Sequence, residues 1–385
     1  MKTKDLKIRR LAYITTDDPL DQRSWSGIYF RMFGALKSEF EEVIPFGPIN
    51  APMIVFLIKI YQFFSLYFFQ RRYDRSHSVL LSRAYGYILK KKLQNKKIDA
   101  IFAPSGATLI AFLDTKIPIY YYSDATANLL IDYYFFNLSK LSRKELNRIE
   151  SNALNKSKAA IFSSLWSAQD AISTYLADPN KVKIVKMGAN IPPPSEKLNI
   201  IKKLDNKYCN LLFVGVDWKR KGGEIVLETL DILTEIGFKA TLTVCGCTPP
   251  ESRPNMTVYP FLNKEKETDL KIFLQLFENA HIFFFPTRAE CSGIVICEAA
   301  AFGIPIISTD TGGVASYIKN NETGYLLPLD AKSEDYAKLI MTLFSDKKLY
   351  SEMANQSRIL YHSELNWQVW AKEIFEIIQS SKKID

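Results

Sequence analysis

Residues 281–313 read HIFFFPTRAECSGIVICEAAAFGIPIISTDTGG. The apolar run from Ile282 to Phe285, closed by Pro286, predicts a strand buried on both faces, because parallel strands covered on both sides need no alternation. A short polar loop, Thr287 to Gly293, follows it. Ile294 to Phe302 is rich in alanine and predicts a helix that stops at Gly303, a residue suited to the left-handed position after a helix. Pro305 to Ser308 predicts the next buried strand, and Thr311, Gly312 and Gly313 a glycine-rich turn before another helix. Together these make a strand, loop, helix, strand unit with its loop at the carboxyl ends of the strands, where open α/β sheets bind ligands.

Two carboxylates mark this unit. Glu290 lies in the loop and Glu298 on the helix, so one reaches the outer part of a ligand and the other reaches it from behind. Between them Ser292, Gly293 and Ile294 place backbone amides at a helix start, a ready anion site. Amides for a diphosphate and carboxylates for sugar and ribose hydroxyls suit a sugar nucleotide. An isolated pair of glutamates would read as surface charge; the loop position and the flanking glycines favour a site.

The segment PTRAECSGIVICEAAAFGIPII, followed by TGG, resembles the Glu-x7-Glu donor motif of retaining glycosyltransferases of the GT-B fold, in particular glycosyltransferase family four. The resemblance is close over the C-terminal half and loose over the N-terminal half. It implies an α/β architecture of two Rossmann-like parallel-sheet domains facing a cleft, with a C-terminal helix crossing back to the N-terminal domain. By the same resemblance Glu290 contacts the donor sugar, the Ser292 to Ile294 backbone holds the diphosphate, and Glu298 holds the ribose.

The chain has 385 residues, 47% of them hydrophobic and 24% charged, enough for two domains with sizeable cores. Its five cysteines are odd in number and form no CxxC pair, which argues for a reducing compartment and against a disulfide framework or a zinc site. The basic start MKTKDLKIRR precedes only a short apolar run, so no signal peptide is expected. Positions 1–195 hold 28 basic and 16 acidic residues, net +12, whereas 196–385 hold 22 and 25, net −3. Such a basic first half implies anionic partners, an anionic membrane surface or an acidic acceptor among them. No aromatic or glycine-rich motif supports nucleic-acid binding.

In the N-terminal half, Ile8 to Thr15 predicts a first strand and Ile28 to Lys37 a helix. The loop between them carries Ser26 and Gly27, the candidate acceptor and phosphate loop; the family's glycine loop implies that place, though it commonly has two glycines there. Val43 to Phe46 predicts a second strand. Met53 to Phe69 is the most hydrophobic stretch, yet it is short and carries Lys59 and Gln62, which argues against a bilayer span. A buried or half-buried helix is the first reading, and a helix lying in a membrane interface beside Arg71, Arg72 and Arg75 the second. Ile98 to Ala103 and Ile117 to Tyr122 predict strands ending in polar tips, and the segments SDAT, RIESNAL, AIFSSLWSAQDAI and VKIVKMGANI resemble the N-domain pattern of one branch of the family. None of the three histidines falls at these tips. Asp124 is therefore the candidate polar group near an acceptor hydroxyl, with capping of a helix at Ala127 as its structural alternative.

Ile191-Pro-Pro-Pro-Ser195 reads as the linker, giving an acceptor-side domain over 1–195, a donor domain over 196–360 and a closing helix over 361–385. Asn210 to Val214 predicts the first strand of the second domain, ending at Gly215, and a helix begins near Glu224. Before it Arg220 and Lys221 set two cations beside Gly222 and Gly223. The family holds donor phosphates with an arginine and a lysine; Lys221 matches the lysine, while Val216 stands where the arginine is usual and Arg220 is its candidate substitute. Ala240 to Cys245 predicts a strand with Gly246 after it, where the resemblance puts the nucleoside. Tyr361 to Ile378 predicts one amphipathic helix whose Trp367 and Trp370 share a face with Phe375.

The chain has no Asp-x-Asp pair, so Arg220, Lys221 and the helix start at Ser292 are expected to neutralise the leaving diphosphate with no metal and no cofactor. The expectation is a retaining hexosyltransferase using a nucleotide sugar, UDP- or GDP-linked, and a glycan or lipid-linked acceptor in cell-surface polysaccharide or glycolipid synthesis. Its expected location is cytoplasmic, peripheral on the inner membrane face. The alternatives are a non-catalytic nucleotide-sugar-binding partner subunit and a nucleotide-sugar epimerase of similar fold.

Overall fold

The computed structural model describes residues 8–194 and 207–381. The chain forms two compact units, Met1–Val185 joined by Trp367–Asp385, and Lys186–Asn366.

The first unit is built on six parallel strands: β1 (Arg10–Ile14), β2 (Glu42–Phe46), β3 (Ala100–Pro104), β4 (Ile119–Ser123), β5 (Ala159–Phe162) and β6 (Val182–Ile184), in the order β2-β1-β3-β4-β5-β6. Leu11 of β1 pairs with Val43 on one side and Ala100 on the other. Every residue of β3, β4 and β5 is buried, which is why those segments show no alternation in the sequence.

The helix Trp367–Ser380 belongs to this unit. Trp370 stands edge-on to Phe102 and Tyr122, with ring centroids 5.8 and 5.7 Å away. Phe375 meets Phe40 at 5.2 Å, and the Gln379 amide brackets the backbone of Ile8 with two hydrogen bonds of 3.0 and 2.7 Å. The expected crossing helix is thus present, but it is not one helix from Tyr361. Lys347–Ser363 is a separate helix of the second unit. Its carbonyl ends at Tyr361 and His362 accept from the Asn366 side-chain amide at 2.8 and 3.0 Å, a cap that breaks the backbone while the apolar periodicity runs on.

The second unit has the parallel strands β7 (Cys209–Val214), β8 (Ala240–Cys245), β9 (Met256–Tyr259), β10 (Ile282–Phe285), β11 (Ile306–Thr309) and β12 (Gly324–Leu327), in the order β12-β11-β10-β7-β8-β9. Phe283 of β10 lies between Leu212 and Ile306, and all of β10 and β11 is buried. The strand order reverses direction between β7 and β10, as it does between β1 and β3 in the first unit, and such switch points open a crevice at the carboxyl ends of the strands.

Three further expectations shift. The units divide after Val185 instead of Ser195: Met187 donates to the Tyr317 hydroxyl at 3.1 Å, Ala189 donates to the Leu365 carbonyl at 3.2 Å, and Lys186 pairs with Glu364 at 2.6 Å. These bonds tie the chain to the second unit before its prolines; Ser195 itself lies outside the described residues. After Thr311-Gly312-Gly313 comes a single 3-10 turn, Val314–Ser316, in place of a helix. The third shift is the largest. The apolar stretch forms a helix, Pro52–Phe69, but only Ile58 and Ser65 of it are buried, so the reading of it as a core or half-core helix is wrong. Only one narrow stripe finds partners in the unit's core, and among the described residues no second layer covers the rest of the helix.

Candidate functional site

The carboxyl ends of β7 and β8 carry Gly215 and Gly246 against one another, and the turn at Gly222 lies against Pro286 at the end of β10; only glycine allows so close an approach at these positions. A Cβ on Gly246 would lie 2.9 Å from the Gly215 carbonyl oxygen. One on Gly222, which has a φ of +79°, would fall 1.9 Å from the Pro286 carbonyl. The two loops are stitched together at that point: Arg288 donates its backbone N–H to the Arg220 carbonyl at 2.8 Å, and the Thr287 hydroxyl donates to the same oxygen at 3.2 Å.

This stitching sets the charged groups. Lys221 is only 8% exposed, and its ammonium is bonded to the Glu290 carboxylate and lies 4.7 Å from the centre of the Phe285 ring. Burial pushes the Lys221 ammonium below its ordinary range, against the pull of Glu290. Arg220 approaches the same carboxylate at 3.8 Å while donating to the Ala289 carbonyl at 2.9 Å. Two cations therefore converge on one carboxylate. Val216, where an arginine was expected, is exposed, and Arg220 is the arginine that comes to the cluster.

Gly293, with a φ of +76°, starts the helix Ile294–Ala301, so the amides of its first turn have no carbonyl four residues back. Ser292 is buried beside it, and Gly293 lies against Glu290, a Cβ there being 3.5 Å from the Glu290 side chain. Gly313 spends its amide on the Glu290 carbonyl at 3.0 Å, holding the loop in place. Glu298 is 2% exposed and pairs with Lys264 at 2.8 Å. That pair acts on the Cys245 thiol at the tip of β8, which burial above all raises to about 12, so Glu298 and Lys264 face the strand end that Gly246 follows.

Sequence reasoning gathered these residues except Lys264. It sits in the turn NKEKE, where alternating charges read as an ordinary solvated loop, and its pairing with Glu298 is visible only in the fold.

The first unit has its own cluster at its switch point. Trp25, Ser26 and Gly27 all have positive φ, of 48, 56 and 83°, so the expected loop is a tight left-handed turn feeding α1 (Ile28–Leu36). Asp124 follows β4. It is not the helix cap: Thr126 caps the helix Ala127–Leu130 by accepting from the Leu129 amide. Asp124 instead acts on Tyr29, whose hydroxyl also bonds Thr16 and Ser105 and whose pKa burial raises to about 12. The tips of β1, β3 and β4 thus meet at Tyr29, a residue that sequence reasoning passed over because an aromatic near a helix start reads as core.

Among the described residues, no group of three His, Cys, Asp or Glu is placed to hold a metal ion. Cys245 and Cys247 are free thiols.

Residues 195–360 match the family described as glycosyl transferases group 1. The capsular polysaccharide biosynthesis glycosyltransferase CapM of Staphylococcus aureus is 27% identical over 216 residues, 53% of this chain and 56% of that protein. The D-inositol 3-phosphate glycosyltransferase of Rhodococcus jostii is 23% identical over 59% of this chain and 53% of its own length. The chain therefore spans little more than half the length of these curated relatives. Among solved structures, sucrose-phosphate synthase from Thermosynechococcus elongatus superposes with a TM-score of 0.68 at 14% identity, covering 98% of this chain and 100% of that one. Anabaena HepE in complex with UDP and glucose gives 0.65 at 14% identity, covering 97% and 100%. These likenesses show the GT-B fold.

Proposed function

We propose that this chain, which belongs to the glycosyl transferases group 1 family through residues 195–360, moves a hexose from a nucleotide sugar to a glycan or lipid-linked acceptor with retention at the anomeric carbon. The observation that carries the reading is the convergence of buried Lys221 and Arg220 on Glu290 beside the first turn of Ile294–Ala301. Two fixed cations and a row of helix-start amides form a preorganised electrostatic site for charge that grows on a departing diphosphate. They supply that charge without a metal, and the reading is of a metal-independent transferase.

In this structure Glu290 takes the place of the anion: its carboxylate occupies the cations that a diphosphate would engage. Donor binding would draw Lys221 and Arg220 to the phosphates and release Glu290 to the sugar hydroxyls. Glu298, paired with Lys264, is suited to the ribose. Retention is proposed to run by attack on the face that the diphosphate leaves, with a donor phosphate oxygen taking the acceptor proton, since Glu290 is committed to cations and sugar. The acceptor is proposed to meet the Ser26, Gly27 and Asp124 cluster of the first unit. A UDP-sugar is the first donor to test, by analogy with the UDP and glucose bound to HepE, and cell-surface polysaccharide the first acceptor class, by analogy with CapM.

A panel of UDP-, GDP- and ADP-sugars, assayed by thermal shift and product analysis with and without EDTA, tests the reading. One donor should stabilise the wild type, with or without EDTA, and lose its effect in Glu298→Ala. If a nucleotide sugar binds but no product forms, the partner-subunit alternative takes its place; if none binds, both readings fail.

A further inference from the structure

The helix Pro52–Phe69, which we call α2, carries a dense run of exposed large hydrophobic side chains. Met53, Phe56, Phe63, Tyr67, Phe68 and Phe69 are each at least 63% exposed. Ala51, Ile54, Val55 and Ile58 pack against the core of the first unit, and Ser65 is tied down by donating to the Arg71 carbonyl at 2.9 Å. At about 100° per residue these positions form one narrow stripe, and the opposite side carries Met53, Phe56, Ile60, Phe64 and Tyr67. Phe63 stacks on Tyr67 and Phe64 on Phe68, at 6.1 and 5.9 Å.

We propose that α2 lies in the surface layer of an anionic lipid membrane, its aromatic side among the acyl chains and its stripe on the protein. Three observations select this occupant. From Ala51 to Ile98 the chain holds 10 basic residues and one acidic residue, Asp74. That carboxylate is buried and bonded to His77 at 2.8 Å, and Lys90 pairs with Asp114 at 2.5 Å, which leaves the segment with a large excess of positive charge. Arg71, Arg72 and Arg75 are exposed just past the helix, where they meet lipid phosphates. Lys59, the only charge within α2, falls on the wheel at the edge of the protein-facing stripe, so its ammonium can rise to the head groups while the apolar side sinks. Phe136 extends the surface: it is 60% exposed, next to Asn137, whose side chain donates to the Gln70 carbonyl at 3.1 Å.

The helix does not cross the bilayer. It is long and apolar enough to do so by length and composition, but a span must leave the domain, whereas α2 stays attached along its length at Ile58 and Ser65. An interfacial helix with a flanking polybasic patch supplies the two signals that stable anchoring needs.

The proposal does not depend on the transferase reading, because partitioning is measured with no donor present. The full-length protein is floated with vesicles of phosphatidylcholine alone or with added phosphatidylglycerol. Wild type should float with the anionic vesicles and about tenfold less with the neutral ones. Phe56→Ser, Phe63→Ser and Phe68→Ser combined, all at exposed positions, should weaken partitioning at least about tenfold with the thermal midpoint unchanged. Arg71→Glu with Arg72→Glu should abolish the preference for anionic lipid. A wild type that stays with the soluble fraction, or a triple variant that partitions as wild type does, overturns the proposal. So does a dimer without vesicles that the triple variant turns into monomer, since the face would then belong to a second copy.

Discussion

Two stretches of this chain are nearly equal in aromatic content and opposite in fate. In β10, IFFF, every residue is buried; in α2, FFSLYFF is exposed apart from Ser65. β10 is a central strand between β7 and β11, so helices on both faces of a parallel sheet exclude water from it. α2 touches its unit along one stripe, and among the described residues no further layer lies over it. Apolar composition specifies that a segment leaves water; it does not specify whether protein or lipid receives it.

The sharpest way to break this contrast is to truncate a ring in each. Phe284, which packs on Tyr336 at 5.5 Å, should cost about 3–5 kcal/mol as Phe284→Ala. Phe68→Ala should fall within about 0.5 kcal/mol of wild type, both read by denaturant unfolding. Equal costs would mean that α2 is covered in solution. The loop that follows β10 gives the next test. Lys221→Met keeps the bulk and removes the charge, and should lower transfer by about 100-fold or more with little change in fold, read as kcat/KM at saturating acceptor.

Burial in the first unit can be sharpened through Glu150, whose carboxyl accepts from the Tyr121 hydroxyl at 3.1 Å. Burial raises it from its ordinary 4.5 to about 8; the Tyr121 hydroxyl and the Ala127 amide oppose that, and Asp170 adds to it. The folded state thus prefers the protonated form, so the stability this carboxyl contributes is complete below pH 4.5 and is lost as pH rises toward 8. Glu150→Gln should flatten that decline, seen as a thermal midpoint that changes less between pH 5 and pH 8. A small effect of opposite sign is expected in α1, where a Cβ on Gly34 would meet nothing within 4 Å. Gly34→Ala should therefore stabilise the protein by about 0.5–1 kcal/mol.

The strand, loop and helix of the donor-side unit were legible in the chain's local pattern. The uninterrupted apolar runs of β10 and β11, the loop glycines and the spacing of Glu290 and Glu298 are local signals, each tied to backbone geometry within a few residues. Tertiary structure alone decided the rest. Lys264 meets Glu298, and Tyr29 meets Thr16, Ser105 and Asp124, across distances in sequence that no periodicity encodes. Asn366 cuts a continuous amphipathic pattern into two helices that belong to different units. Above all, the pattern of α2 is apolar on nearly every side, so it could not say which face would find the core. That choice was made by the few positions, Ile54, Val55 and Ile58, that the remainder of the first unit had surface to receive.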